Sequence, residues 1–197
     1  MIVDNTFASP YLCQPLKLGA DLVVHSATKY LSGHADAMGG LVVSRDEMDA
    51  AALFSVMKLV GGVLGVWDAH EILRGLKTLA LRMERQCENA SSLASYLKEH
   101  KGIGRVHYPG LGALVSIELS ENTQDAAFRF MDALKIAVRS SSLGDVFTSV
   151  LHPATASHRD FLPARRQELG IFDGLVRISV GIESVDDIIA DVEQALA

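Results

Sequence analysis

From Asp68 to His100, apolar side chains recur at helical spacing through Ala69, Ile72, Leu73, Leu76, Leu79, Met83, Cys87, Ala90, Ala94 and Leu97. A stripe that returns every three or four residues lies along one face of a rod and must be covered there, so it predicts one long amphipathic helix, stopped near Gly102 and Gly104. Arg82, Glu84, Arg85 and Glu88 mostly lie off the stripe. The texture of the sequence changes at the end of this helix, around residues 95 to 105.

Ahead of the helix, Met1 to Asp4 reads as a strand end, and Leu22 to His25 and Gly40 to Ser44 as short β-type runs bounded by glycine or polar residues. Behind it come "IGRVHY" and "ALVSIEL" as strands, then Gln124 to Val138 as a helix with Ala127, Phe130, Met131, Leu134 and Val138 on one face. The chain closes with "LVRISVGIE" as an alternating strand and "SVDDIIADVEQALA" as a helix. Ser184 suits its N-cap, and Asp186 and Asp187 favour its positive end. The pattern predicts an α/β part over 1–98, including the long helix, and a smaller α+β domain over 99–197.

A chain of 197 residues, 49% hydrophobic and with a formal net charge of −6, can bury a sizeable core and carries no basic footprint for nucleic acid. Cys13 and Cys87 show neither a disulfide framework nor a zinc-ribbon spacing, and they suit a reducing cytoplasm. The most apolar stretch, Ala50 to Trp67, is interrupted by Lys58 and the Gly61–Gly62 pair, which argues against a signal peptide or a membrane span. His25, His34, His70, His107, His152 and His158 lack the pairings of a metal site. "GADLVVHSATKY" contains neither a dinucleotide fingerprint nor a P-loop.

Five residues carry candidate chemistry. Lys29, in "HSATKYLSGH", places an amine just after the apolar run "ADLVV", where desolvation would favour its neutral, nucleophilic form; the plainer reading is a snorkelling surface lysine. Ser26 and Thr28 can present hydroxyls and nearby amides to a phosphate, or simply bond within a turn. Asp4 ends the strand start "MIVD" and can hold a protonated ring nitrogen or cap the next turn. Arg177 shares a strand face with Ser179 and Gly181, opposite Val176, Ile178 and Val180. It leaves room for a carboxylate held bidentately, or it is an exposed arginine on an open sheet face.

Taken together, "VDNTFASPYLCQPLKLGADLVVHSATKYLSGHADAMGG", "LRGLKTLALRMERQCENA", "SSSLGDVFTSVLHPATASH" and "GLVRISVGIESVDDIIADVEQAL" closely resemble the Cys/Met-metabolism family of pyridoxal phosphate enzymes. That family includes cystathionine γ-lyase, cystathionine γ-synthase, methionine γ-lyase and O-acetylhomoserine sulfhydrylase. The resemblance implies an aspartate-aminotransferase-like (type I) fold lacking its N-terminal half. Lys29 would carry the cofactor, Asp4 would pair with the pyridine nitrogen, Ser26 and Thr28 would hold the phosphate, and Ser142 and Arg177 would bind the substrate carboxylate.

The resemblance further implies γ-elimination from a sulfur amino acid or an O-acyl-homoserine, with γ-replacement as the alternative and a non-catalytic, assembling fragment as a reading of another class. It implies a homo-oligomer, a dimer of dimers in a full-length parent. Upstream parts of the family pattern are missing: a glycine-containing phosphate loop, a tyrosine that stacks on the cofactor ring, and the tyrosine and arginine lent by a neighbouring subunit. A His-Pro-containing stretch is also missing between Leu111 and Gly112. Ser141 replaces the glutamate of several cystathionine-using relatives, which leans away from cystathionine as substrate.

Overall fold

The computed structural model describes residues 1–197. The chain divides into two compact units between Met83 and Glu84. The first contains a three-stranded sheet. Its β1 (Ile2–Asp4) runs parallel to β2 (Leu22–Ser26), and β3 (Gly40–Ser44) pairs antiparallel with β2. Asp4 sits beside Val24, and Ser26 beside Gly40. The carboxyl ends of two parallel neighbours therefore open on the same edge, which is where open α/β sheets bind ligands.

The β1–β2 connection carries a short helix, α1 (Ser9–Leu12), and a 3₁₀ turn over Pro15–Leu18 that ends at Gly19 with φ 106°, a left-handed conformation that glycine adopts without a Cβ clash. Helix α2 (Glu47–Val60) starts on Asp46, whose carboxylate accepts the Asp49 N–H, and stops at the left-handed Gly61. No α2 side chain is buried; Met48, Phe54, Val56, Leu59 and Val60 are exposed. No helix of the protein is long and apolar enough to cross a membrane.

The single helix predicted from Asp68 to His100 is two, α3 (Val66–Leu76) and α4 (Leu79–Lys98). The break has a local cause. At Lys77 and Thr78 the amides bond to Arg74 and Gly75 carbonyls in a tighter turn, and the Gly75 carbonyl also accepts from the Thr78 hydroxyl and an Arg82 guanidinium N–H. Arg82, outside the apolar stripe, is nevertheless buried.

The second unit is a five-stranded sheet in the order β4-β5-β8-β7-β6, made of β4 (Ile103–His107), β5 (Leu114–Leu119), β6 (Val138–Arg139), β7 (Ser149–Leu151) and β8 (Leu175–Ser179). All its pairings are antiparallel except β6 with β7. The core packs Leu93 and Leu97 of α4, Phe130 of α5 (Gln124–Ala133) and Ile188 of α7 (Val185–Leu196) against Val115, Ile117, Val176 and Ile178 of the sheet. A short α6 (Pro163–Glu168) precedes β8. Ser184 stands at the N-cap of α7, although its side chain makes no capping bond there.

Helix α5, predicted to run to Val138, ends at Ala133. Asp191 of α7 explains the stop: its carboxylate accepts the main-chain N–H groups of Lys135, Ile136 and Ala137 at 2.7, 2.9 and 3.0 Å. Amides taken by a distant carboxylate cannot continue a helical ladder, so Leu134 turns extended and Val138 joins β6.

Candidate active site

The residues singled out from the sequence fall into two groups, one in each unit. In the first unit a cleft of about 540 Å³ is lined by Asp4, Thr6, Phe7, Ser26 and Lys29, among others. It lies at the shared carboxyl edge of β1 and β2. Lys29 stands in the turn leaving β2: its N–H donates to the Ser26 carbonyl, and its own carbonyl accepts the Gly33 N–H at 2.8 Å. Arg82 holds the next peptide, donating from one guanidinium nitrogen to the Tyr30 carbonyl at 2.9 Å and from another to the Gly75 carbonyl at 2.9 Å.

Thr6, which the sequence reading passed over, ties the cleft together. Its N–H donates to the Asp4 carboxylate at 2.9 Å, and its hydroxyl oxygen accepts the Ser26 N–H at 2.8 Å. Bonds from the Thr6 hydroxyl and amide hold the Asp4 carboxyl below the usual carboxylate range; slight burial opposes this, and His25 adds a small pull in the same direction. Asp4 therefore stays ionised although it stands at a strand end. The signal available was Asp-x-Thr in "VDNT", the spacing of a side chain that bonds the backbone two residues on.

His25 lies on the other face of β2, buried, with Nδ1 shielded from solvent and lacking a protein partner. Burial pushes its pKa down, against the pull of Asp4. Thr28 does not line the cleft: its hydroxyl donates to the Gly39 carbonyl at 3.4 Å and accepts the Gly39 N–H at 3.0 Å.

The second group is Arg177 and Ser142. Arg177, on β8 between Ser116 of β5 and Leu151 of β7, donates to the Ser142 carbonyl at 2.8 Å and more weakly to that of Ser141 at 3.4 Å. The Ser142 N–H donates to the Ser140 hydroxyl at 3.1 Å, and the Gly144 N–H to the Ser179 hydroxyl at 2.9 Å. Ser179, on the same strand face as Arg177, is buried, and Arg177 itself is half-buried. A guanidinium fixed at one edge by a loop carbonyl is already oriented for a planar anion.

Pyridoxal phosphate asks a protein for an amine to bond its aldehyde carbon, a carboxylate to keep its ring nitrogen protonated and hydrogen-bond donors for its phosphate. Lys29, Asp4 and Ser26 on one cleft fit the first two demands and part of the third, and Asp4 is held in the charged form the ring nitrogen needs.

The comparisons agree with that fit. The family model described as Cys/Met metabolism PLP-dependent enzyme matches residues 1–197. An L-methionine gamma-lyase of Fusobacterium nucleatum is 46% identical over 213 residues, covering 100% of this chain and 54% of that protein. Two solved structures superpose closely, each 39% identical and covering 99% of this chain. One is a cystathionine gamma-lyase from Micromonospora echinospora, at a TM-score of 0.95 with 55% of its own chain covered. The other is a cystathionine gamma synthase from Xanthomonas oryzae pv. oryzae in complex with aminoacrylate and cysteine, at 0.94 with 54% covered. The chain belongs to the Cys/Met-metabolism family of pyridoxal-phosphate-dependent enzymes and has their fold. It spans about half the length of the relatives it matches.

Proposed function

We propose that this chain forms the lysine-bearing part of a pyridoxal phosphate enzyme that removes a γ substituent from a sulfur amino acid or an O-acyl-homoserine. The observation that carries the reading is the convergence of Lys29, Asp4 and Ser26 on one cleft. When bound, pyridoxal phosphate supplies an electron sink for charge developing at the substrate α carbon. Asp4 accepts a hydrogen bond from the protonated ring nitrogen and keeps it charged. Ser26 offers its hydroxyl to the phosphate, while Thr28, also assigned to the phosphate from the sequence, holds the turn through its bonds to Gly39. Lys29 takes the proton from the substrate α carbon and delivers it to a neighbouring carbon, work suited to an amine kept partly desolvated. Arg177 and Ser142 bind the substrate carboxylate, the group that every α-amino acid presents.

The test is a visible spectrum of the purified chain with added pyridoxal phosphate, borohydride reduction and peptide mapping. The expected result is a reduced adduct on Lys29 that disappears in Lys29→Ala. An adduct surviving in that variant would sink the assignment, and no adduct in a folded chain would favour the non-catalytic, assembling role. Methionine, cystathionine and O-acetylhomoserine are then compared as substrates, with and without a second thiol. Turnover only with the thiol would move the reading to γ-replacement, which similarity to the cystathionine gamma synthase supports. The apolar side chains exposed along α2 support self-association into a homo-oligomer.

A further inference from the structure

We propose that Gln86 is a positioning residue for carboxylate binding, an inference that rests on the reading of Arg177 and Ser142 as the carboxylate site. Gln86 lies on α4 with 0% of its surface exposed. Its Nε2 donates to two main-chain carbonyls far apart in the sequence, Asp145 at 2.8 Å and Val180 at 3.1 Å. Its Oε1 is buried and finds no partner. A methionine of nearly the same shape would fill this space without a stranded side-chain oxygen, but it would leave both carbonyls without their donor. What the amide does, and methionine cannot, is pin two segments to one point.

Those segments carry the two carboxylate-binding groups. Ser142 lies three residues before Asp145, and Arg177 three before Val180. Between them, the Gly144 N–H bonds the Ser179 hydroxyl, and the Ser142 carbonyl bonds the Arg177 guanidinium. The backbones approach closely: a Cβ on Gly181 would stand 2.5 Å from the Val146 carbonyl oxygen. One turn along the same helix, Asn89 Nδ2 donates to the Gly181 and Glu183 carbonyls at 3.0 and 2.9 Å. Gln86 thus sets the spacing between loop and strand. That spacing decides whether the Ser142 carbonyl steers Arg177 toward a ligand.

The test uses the ¹⁵N-labelled 197-residue chain, titrated with sodium propionate while the Ser142 and Gly144 amides are followed by NMR. Gln86→Met keeps the shape and removes both donors, and it should weaken propionate binding about tenfold. Leu97→Ala, a cavity in the same core away from the loop, should lower stability and leave the affinity unchanged. Should Gln86→Met not fold, Gln86→Asn, too short to reach both carbonyls, should weaken binding in the same direction. Native affinity in the folded Gln86 variants, or an equal loss in Leu97→Ala, overturns the inference. Absence of saturable shifts in the unsubstituted chain, or binding unaffected by Arg177→Gln, instead removes the carboxylate reading itself and this inference with it.

Discussion

The hydroxyl oxygen of Thr6 accepts the main-chain N–H of Ser26 at 2.8 Å, joining the end of β1 to the end of β2 just where the cleft opens. The same residue donates its amide to Asp4, so one threonine both closes the sheet edge and keeps the carboxylate ionised. Thr6→Val keeps the shape and loses the hydroxyl. It should cost about 1 to 2 kcal/mol in urea unfolding, the usual result of stranding a buried partner. The Asp4 carboxyl should move up toward its ordinary range in ¹³C NMR, and Thr6→Ser should restore both. An unchanged Asp4 titration in Thr6→Val would show that the Thr6 amide alone sets it.

Asp191 governs stability in acid. Burial alone would raise its pKa, but three backbone N–H bonds and one from Gln194 outweigh burial and leave it lowered. An unfolded aspartate titrates near about 3.9. The native carboxylate therefore stabilises the fold at pH values above that point, and the contribution drains away as pH falls through the lower native value. Asp191→Asn should lower stability at neutral pH by about 2 kcal/mol, the range for a charge-assisted bond. Chemical denaturation between about pH 7 and pH 2, which brackets the carboxylate titration, should show a shallower acid slope in that variant than in the parent. Identical slopes would assign the dependence to other groups.

Gly75 bears on the break between α3 and α4. A Cβ there would meet the Ser32 carbonyl oxygen at 2.1 Å and that of Leu31 at 2.8 Å, both main-chain atoms with little freedom to yield. Gly75→Ala should destabilise by about 1 to 3 kcal/mol despite the better helix propensity of alanine. A melting temperature equal to or above the parent's would mean that α3 shifts at no cost.

His25 should remain neutral at physiological pH. Its imidazole resonances should titrate with a midpoint below about 6.5, the unperturbed value, because burial disfavours the cation. Asp4 pulls the other way, so Asp4→Asn should lower the midpoint further. An upward move in that variant would contradict the pairing.

Much of this molecule is readable without coordinates, for physical reasons that particular elements make plain. Strands β5 and β8 announce themselves because alternate side chains face opposite environments, and Val115, Ile117, Val176 and Ile178 all enter the core as their spacing implies. The "SATKY" turn offers Lys29 as a candidate amine, and its place at the end of β2 follows from the apolar run ahead of it. Thr28 shows the limit: neighbouring hydroxyls look alike in sequence, yet one lines the cleft and the other bonds Gly39.

The sequence by itself determined the alternation of strands and helices, the residue types available for chemistry and the family, since periodicity and short motifs are local properties of the chain. Tertiary structure decided where helices stop and which polar groups are buried. Asp191 ends α5, Arg82 braces the turn after Lys29, and Gln86 ties the loop at Asp145 to the end of β8 at Val180. Each of these acts on a backbone group far away in sequence. A buried carbonyl or amide must find a partner, and which partner it finds depends on the folded arrangement rather than on its neighbours in the chain.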